Sequence, residues 1–298
     1  MAVSNPSIKQ ILEPRIDGKT KRMDVGGLLI PPTSLITALL YGFANHEHLR
    51  AKEYYFWRVC DELWNHDDLP EKLMIRHPWA EHMVWAALNN KYLAIGGSAS
   101  SGKSHTMAAW GIINWLSKPK DTLVLMTSTT LREARKRIWG SVMSLLSVID
   151  GAPIKIRDSI GNAAYIDEKG TLIERAGISL IAAEKSKTRE AVGKFIGIKQ
   201  KRVILIGDEL SELSEAILQA GLSNLSKNPE FQLIGMSNPN SRFDAFGVWS
   251  EPINGWDSVD TSMEDGWPTK WGGDYIRLDG ERSPNIIAGE VLYPWLPT

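Results

Sequence analysis

The chain has 298 residues, 43% hydrophobic and 23% charged, with a formal net charge of −1. That is enough apolar sequence to bury a substantial core in one large domain or two small ones. The charge balance gives no global basic field to argue for nucleic acid. A single cysteine, Cys60, excludes an intrachain disulfide and fits a reducing compartment; no apolar run approaches the ~20 residues that span a bilayer, and the first ten residues lack a signal-peptide core.

Residues 1–32 carry Pro6, Pro14, Pro31, Pro32 and Gly26-Gly27 and read as a loop-like arm. Helices are expected over residues 33–41 and 46–65, the second with Leu49, Phe56, Val59, Cys60 and Leu63 at three- and four-residue steps. His46, His48 and His66 lie scattered near helix ends with no thiolate partner, a poor metal set. His77-Pro78-Trp79 opens a further helix, with proline in its first turn.

Residues 92–95 form a short apolar run that reads as a buried strand, followed by Gly96, Gly97, Ser98, Ala99, Ser100, Ser101, Gly102, Lys103, Ser104 and His105. Gly97, Gly102, Lys103 and Ser104 match the spacing of a phosphate loop, G-x-x-x-x-G-K-[ST]. Small residues let backbone N–H groups wrap a polyphosphate, and a helix starting at once turns its N-terminal dipole on the anion. Lys103 is then expected at the β and γ phosphates of ATP, and the Ser104 hydroxyl on Mg²⁺. Met107, Trp110, Ile113, Trp115 and Leu116 supply the following helix. The element before such a strand often touches the base, which makes His77 and Trp79 candidates for adenine; a core role suits Trp79 better.

Residues 122–127 read as a second buried strand, and Ser128-Thr129-Thr130 as the cap of a helix over 131–148 whose first turns are basic: Arg132, Arg135, Lys136 and Arg137. A solvated face explains these charges; phosphate contact is the alternative. A hairpin is expected over 153–173 around Glu168-Lys169-Gly170, and a strand over 178–182. Lys185, Lys187, Arg189, Lys194, Lys199, Lys201 and Arg202 then mark a polar, basic loop.

Val203-Ile204-Leu205-Ile206 is a fully buried strand that delivers Asp208 and Glu209 at its C-terminal end, where ligands sit in open α/β sheets. Beside a Mg-nucleotide, Asp208 is expected to hold the metal and Glu209 to accept a proton from the attacking water. A helix over 211–220 and a buried strand over 231–236 follow, the strand ending in Ser237-Asn238-Pro239. Residues 243–273 are Trp-, Gly- and Pro-rich and read as irregular. Alternating strands and helices predict an α/β fold, a mostly parallel sheet flanked by helices. The Glu directly after the strand-end Asp resembles the RecA-like, additional-strand (ASCE) class of P-loop NTPase, and the guanine motif N-K-x-D is absent.

The order of these parts resembles the ATPase domain of phage terminase large subunits, the motors that pump double-stranded DNA into a procapsid. Four features carry the resemblance: the phosphate loop Gly97 to Ser104, the Asp208-Glu209 pair, the strand and turn ending in Ser237-Asn238-Pro239, and a tail with Ser283-Pro284-Asn285 and Tyr293-Pro294. The resemblance implies Mg²⁺-dependent ATP hydrolysis, a coupling role for Ser237, Asn238 and Pro239, and a homo-oligomeric ring. It also implies double-stranded DNA, a portal or procapsid and a small terminase subunit as partners, and a place in the cytoplasm of an infected host cell. It implies three parts: residues 1–75 as an arm and helical region, 76–245 as the ATPase core, and 246–298 as a small lid or linker.

The chain departs from the family at several points. Where relatives often hold an arginine in the loop, this chain has Ser98, Ala99, Ser100 and Ser101; ahead of the acid pair, Ile196-Gly197 stands where many have Arg-Gly. Arg189 is therefore the candidate arginine finger, with Arg135, Arg137 and Arg242 as rivals. The family's adenine-side Gln has no match, Trp79 or Ala80 falling near its place. The acids after Glu209 are scattered, so an ATPase-only chain without nuclease activity is expected. Another P-loop DNA translocase or helicase-like ATPase is the alternative. A nucleotide switch without turnover would have no use for Glu209.

Overall fold

The computed structural model describes residues 15–17, 22–25, 28–30, 35–149, 154–167, 169–182 and 198–298. The chain divides into two units, Met1–Ile75 with Leu116–Lys118, and Arg76–Trp115 with Pro119–Thr298.

In the first unit, β1 (Arg15–Asp17), β2 (Arg22–Val25) and β3 (Leu28–Ile30) pair antiparallel, where the proline and glycine content predicts only a loop. Strands of three or four residues are too short to show an alternating pattern. Two helices follow, α1 (Leu35–Asn45) and α2 (Leu49–Trp64). Phe43, Phe56, Trp57, Cys60 and Trp64 are buried there, with the Phe43 and Phe56 rings 6.2 Å apart. The Asn65 side chain holds the turn after α2, donating to Met74 O at 2.7 Å and accepting from Met74 N at 3.1 Å.

The second unit is built on a nine-stranded sheet. Its members are β4 (Tyr92–Gly97), β5 (Thr122–Ser128), β6 (Ile154–Arg157), β7 (Asn162–Ile166), β8 (Leu172–Ala182), β9 (Arg202–Gly207), β10 (Glu230–Ser237), β11 (Gly266–Pro268) and β12 (Asp274–Leu278), in the order β11-β12-β4-β10-β9-β5-β8-β7-β6. The run from β12 to β8 is parallel; β11 adds antiparallel at one edge, β7 and β6 at the other. The phosphate-loop strand β4 and the acidic strand β9 are not neighbours. β10 lies between them, pairing Met236 with Ile95 on one side and Gly235 with Gly207 on the other. This is the additional-strand arrangement of a RecA-like P-loop NTPase. Its consequence is geometric: the parallel central strands β4, β10 and β9 bring Gly97, Ser237 and Gly207 out at the same, C-terminal end of the sheet.

The strands form where apolar residues run on without alternation, because both faces are covered. Val203, Ile204, Leu205 and Ile206 are all buried, as are Leu93, Ala94 and Ile95. The helices of this unit are α3 (Pro78–Asn89), α4 (Lys103–Ser117), α5 (Leu131–Lys136), α6 (Ile138–Leu146), α7 (Glu215–Leu225), α8 (Ala245–Ser250) and α9 (Pro284–Ala288). α4 is buried continuously from Thr106 to Trp115, so it packs as an internal helix. Gln232 on β10 ties two of these helices to the sheet. Its side chain donates to Ala87 O and Asn90 O at 2.6 and 2.8 Å and accepts from Trp110 Nε1 at 2.9 Å.

Several elements differ from the sequence expectation. The helix over 131–148 breaks at Arg137, whose φ of −104° and ψ of −98° are not helical. Leu172-Ile173, the last arm of the hairpin expected over 153–173, and the separate strand expected over 178–182 form one eleven-residue strand, β8, with a register shift opposite Ala164 and Tyr165. The helix expected from 211 starts later, a 3-10 turn at Leu210–Glu212 preceding α7. The stretch read as irregular supplies α8 and β11, and just beyond it β12 pairs directly with β4. Among the described residues no helix is long and apolar enough to cross a membrane.

Candidate nucleotide site

β4 delivers the loop into a crowded place. A Cβ on Gly96 would meet the Tyr275 hydroxyl at 2.4 Å, and one on Gly97 would meet Leu278 Cβ at 2.6 Å, so β12 can lie against this strand end only because both are glycine. The loop then turns with Ser100 and Gly102 in left-handed backbone, φ 62° and 80°. Ser98 N donates to Leu278 O at 3.2 Å and Ser101 Oγ to Ser98 O at 2.9 Å. α4 starts at Lys103, and the first-turn amides that have no carbonyl partner within a helix face this loop.

Lys103 Nζ folds onto the loop, donating to Gly97 O at 2.9 Å, Ser98 O at 2.8 Å, Ser101 Oγ at 3.0 Å and Asn238 Oδ1 at 3.2 Å. Burial lowers its pKa to about 8, against the pull of Glu209 and Asp208. The neighbouring Ser104 Oγ donates to Asp208 Oδ1 at 2.9 Å. Asp208 is 3% exposed, and its Oδ2 has no hydrogen-bond partner among the described residues. Burial raises its pKa to about 6, the Ser104 hydrogen bond pulling the other way. A hydroxyl, a carboxylate and one carboxylate oxygen left over are hard oxygen donors beside a phosphate loop. Such a set suits Mg²⁺, which binds through one or two protein oxygens and phosphate.

Glu209 stands in left-handed backbone, φ 54° and ψ 50°. For a residue with a Cβ this costs ~1–2 kcal/mol. Its carboxylate meets Arg137 Nη1 at 2.9 Å. An exposed ion pair returns only ~0–1 kcal/mol. Ser211, just beyond, pairs with Ser237: Oγ to Oγ is 2.7 Å, and Ser211 N donates to Ser237 Oγ at 3.2 Å.

Lys103, Ser104, Asp208, Glu209, Ser237 and Asn238 thus lie within one set of contacts; Pro239 follows Asn238 and is exposed. Ala99 is exposed on the loop, and the His105 charge acts on His77. His77 is the cap of α3, its Nδ1 accepting from Ala80 N at 3.4 Å, and its Nε2 would be 3.5 Å from a Cβ on Gly102. It is 4% exposed, and its pKa is lowered to about 4 by burial. Tyr293 lies 5.4 Å from the ring, a neighbour that sequence spacing could not reveal. Trp79 is also buried and lines a cavity of about 330 Å³ with His82, Leu278, Leu292 and Tyr293.

Arg189, with Lys185, Lys187, Lys194, Ile196 and Gly197, lies outside the described residues. Of its rivals, Arg135 donates to Ser159 O, and the Arg242 guanidinium lies over the Phe243 ring at 4.9 Å. Arg137 is the rival that reaches the acid pair. Nothing in the sequence distinguishes it within a basic helix start; only the pairing of β5 with β9 brings it to Glu209.

No protein-family model and no curated protein matches the chain. Solved structures do. A large terminase from a thermophilic bacteriophage, in complex with ADP, aligns with 12% identity and a TM-score of 0.45 over 83% of this chain and 45% of its own. The large terminase ATPase domain of Thermus phage P74-26 aligns with 14% identity and a TM-score of 0.45, over 74% of this chain and 83% of its own. The N-terminal domain of the DNA packaging ATPase from bacteriophage phi29 aligns with 9% identity and a TM-score of 0.37, over 63% and 89%. The chain spans about 45% of the length of the first of these proteins. These neighbours are large terminases or packaging ATPases, the family that the sequence motifs resemble.

Proposed function

We propose that the chain is a Mg²⁺-dependent ATPase whose turnover drives double-stranded viral DNA into a procapsid, as in a large terminase. One observation supports the reading above the rest. A lysine on a phosphate loop, a hydroxyl bonded to a buried carboxylate, and a second acid one residue on meet at the C-terminal ends of the central strands.

In this reading ATP lies along the loop from Gly97 to His105, and Lys103 turns from the loop carbonyls to the β and γ phosphates. Ser104 and Asp208 would hold Mg²⁺, which would neutralise charge on the phosphate oxygens. Glu209 takes the proton of the attacking water. The water oxygen bonds to the γ-phosphorus, and the bond to the β–γ bridging oxygen breaks with its electron pair left on ADP. His77, which lies beside Gly102 with Tyr293 next to it, and Trp79 on the same helix are the candidates for the adenine side. Ser237-Asn238-Pro239 carries the change at the γ-phosphate into β10. Subunits form a ring, with Arg189 reaching a neighbour's ATP, and portal and small terminase subunit are the further partners.

ATP turnover measured at rising protein concentration, with and without duplex DNA, tests this. Turnover that rises with concentration and with DNA is expected. A flat rate indifferent to DNA overturns the packaging role. Undiminished turnover in Glu209→Gln removes the assignment of the base.

A further inference from the structure

Two buried oxygens at the ends of neighbouring strands have no hydrogen-bond partner among the described residues. One is Asp208 Oδ2, already placed in the site; the other is Ser128 Oγ. Ser128 is 0% exposed and closes β5. It opens the run Ser128-Thr129-Thr130 but does not cap the helix that follows. Thr130 does, its hydroxyl accepting from Glu133 N at 3.1 Å. A buried hydroxyl with no partner weakens a fold, so packing alone gives no reason for a serine at this position.

The strand register sets Ser128 beside Asp208. β5 and β9 run parallel with Thr127 opposite Gly207, and Asp208 N donates to Thr127 O at 2.9 Å. Ser128 follows Thr127 as Asp208 follows Gly207. Both side chains also lie on one face. A Cβ on Gly111 of α4 would meet Met126 Cε at 3.0 Å, Val124 Cγ1 at 3.1 Å and Ile206 Cδ1 at 3.6 Å, which puts these three on the α4 side of the sheet. Side chains alternate along a strand, so Ser128, two residues after Met126, turns to that side as well. Asp208 is held there by Ser104 Oγ in the first turn of α4, at 2.9 Å.

Chemistry narrows what the two oxygens can share. An ionised carboxylate oxygen only accepts, and a serine oxygen can accept. A water whose oxygen lies on a divalent cation has two protons to donate, and it needs two acceptors close together. Mg²⁺ keeps several of its waters and takes only one or two protein oxygens directly. Side chains that hold such ligands from behind fix the geometry of the metal and raise its affinity.

We propose that Ser128 is a positioning residue for the divalent cation of this site: its Oγ and Asp208 Oδ2 together accept the two protons of one cation-bound water. This rests on the ATPase reading above and deepens it. It adds the end of β5 to a cation site otherwise built from α4 and the end of β9.

The test uses the whole chain with ADP and Mn²⁺, the free Mn²⁺ being read by electron paramagnetic resonance, so that no turnover is required. Ser128→Ala is expected to weaken Mn²⁺ on the protein–ADP complex about tenfold and to leave ADP affinity in EDTA within about twofold. Its thermal midpoint without nucleotide should match or exceed the wild type, because an unpartnered buried hydroxyl is removed. Ser128→Thr keeps the hydroxyl and should hold Mn²⁺ nearly as the wild type does. In an Asp208→Asn background, Ser128→Ala should cause little further loss of Mn²⁺, since both oxygens act on one water. Unchanged Mn²⁺ affinity in Ser128→Ala, or an equal loss of ADP affinity with and without the cation, overturns the proposal. So does an unfolded Ser128→Ala protein, which would assign the hydroxyl to the fold. A wild-type chain that binds neither ADP nor Mn²⁺ with ADP defeats the ATPase reading itself, whereas a wild-type response that Ser128→Ala leaves intact defeats this proposal alone.

Discussion

Ser211 and Ser237 meet hydroxyl to hydroxyl at 2.7 Å and so join the loop after Glu209 to the end of β10. The next residue, Asn238, accepts from Lys103. One short path therefore runs from the lysine through the β10 turn to the acids. Ser237 is 1% exposed, so its loss leaves the partly buried Ser211 amide and hydroxyl without this partner. Ser237→Ala is expected to cost about 1 kcal/mol in stability by denaturant titration. It should also slow ATP turnover about tenfold, because the loop after Glu209 loses its tie to β10, while Ser237→Thr keeps the hydroxyl and most of the rate. Wild-type stability and turnover in the alanine variant would show that the two hydroxyls hold nothing.

Asp208 is expected to be necessary and destabilising at once. Its carboxylate is buried with one oxygen unpaired among the described residues, a costly state without a bound cation. Asp208→Asn keeps an acceptor for Ser104 and removes the charge. The thermal midpoint of the nucleotide-free protein should rise, while turnover at saturating ATP falls about a hundredfold or more and needs more Mg²⁺ for its half-maximum. A lowered midpoint would mean that the charge is already compensated within the fold.

What could be read beforehand divides along a physical line. β4, β5, β9 and β10 are legible because strands covered on both faces are unbroken apolar runs, and the loop and acid pair because their spacing is fixed by chemistry. β12 is not: Asp274-Tyr275-Ile276-Arg277-Leu278 carries two charges in five residues, and its strand state comes from Gly96 and Gly97 leaving room beside β4. The break at Arg137 is hidden for the opposite reason, since Leu131 to Leu146 reads as one good helix. Its pairing with Glu209, like that of Lys103 with Asn238, is a tertiary fact joining distant positions, and no local pattern announces it.

Lys103 is bound to four acceptors, three of them in its own loop. Removing it should therefore act on the nucleotide far more than on the fold, because carbonyls at the mouth of the loop gain water in exchange. Lys103→Ala is expected to weaken ATP at least about a hundredfold in a binding titration and to shift the thermal midpoint of the free protein by only a few degrees. Loss of the folded baseline would instead assign the lysine to holding the loop together.

His77 gives the site a pH limit. Its imidazole is buried, caps α3 through Nδ1, and has its pKa lowered from 6.5 to about 4. A histidine held neutral in the fold stabilises it fully above the unfolded pKa near 6.5, and that contribution is lost as pH falls from there toward 4. The shift corresponds to roughly 3 kcal/mol at most. His77→Asn keeps a capping acceptor and cannot take up a proton. It should therefore be the less stable protein at pH 7.5, for want of the ring's contacts with Tyr293, yet lose less on acidification. The gap in thermal midpoint between wild type and variant is expected to narrow steadily from pH 7 to pH 4. A gap independent of pH would show that His77 becomes charged without cost and that the loop beside Gly102 is open to water.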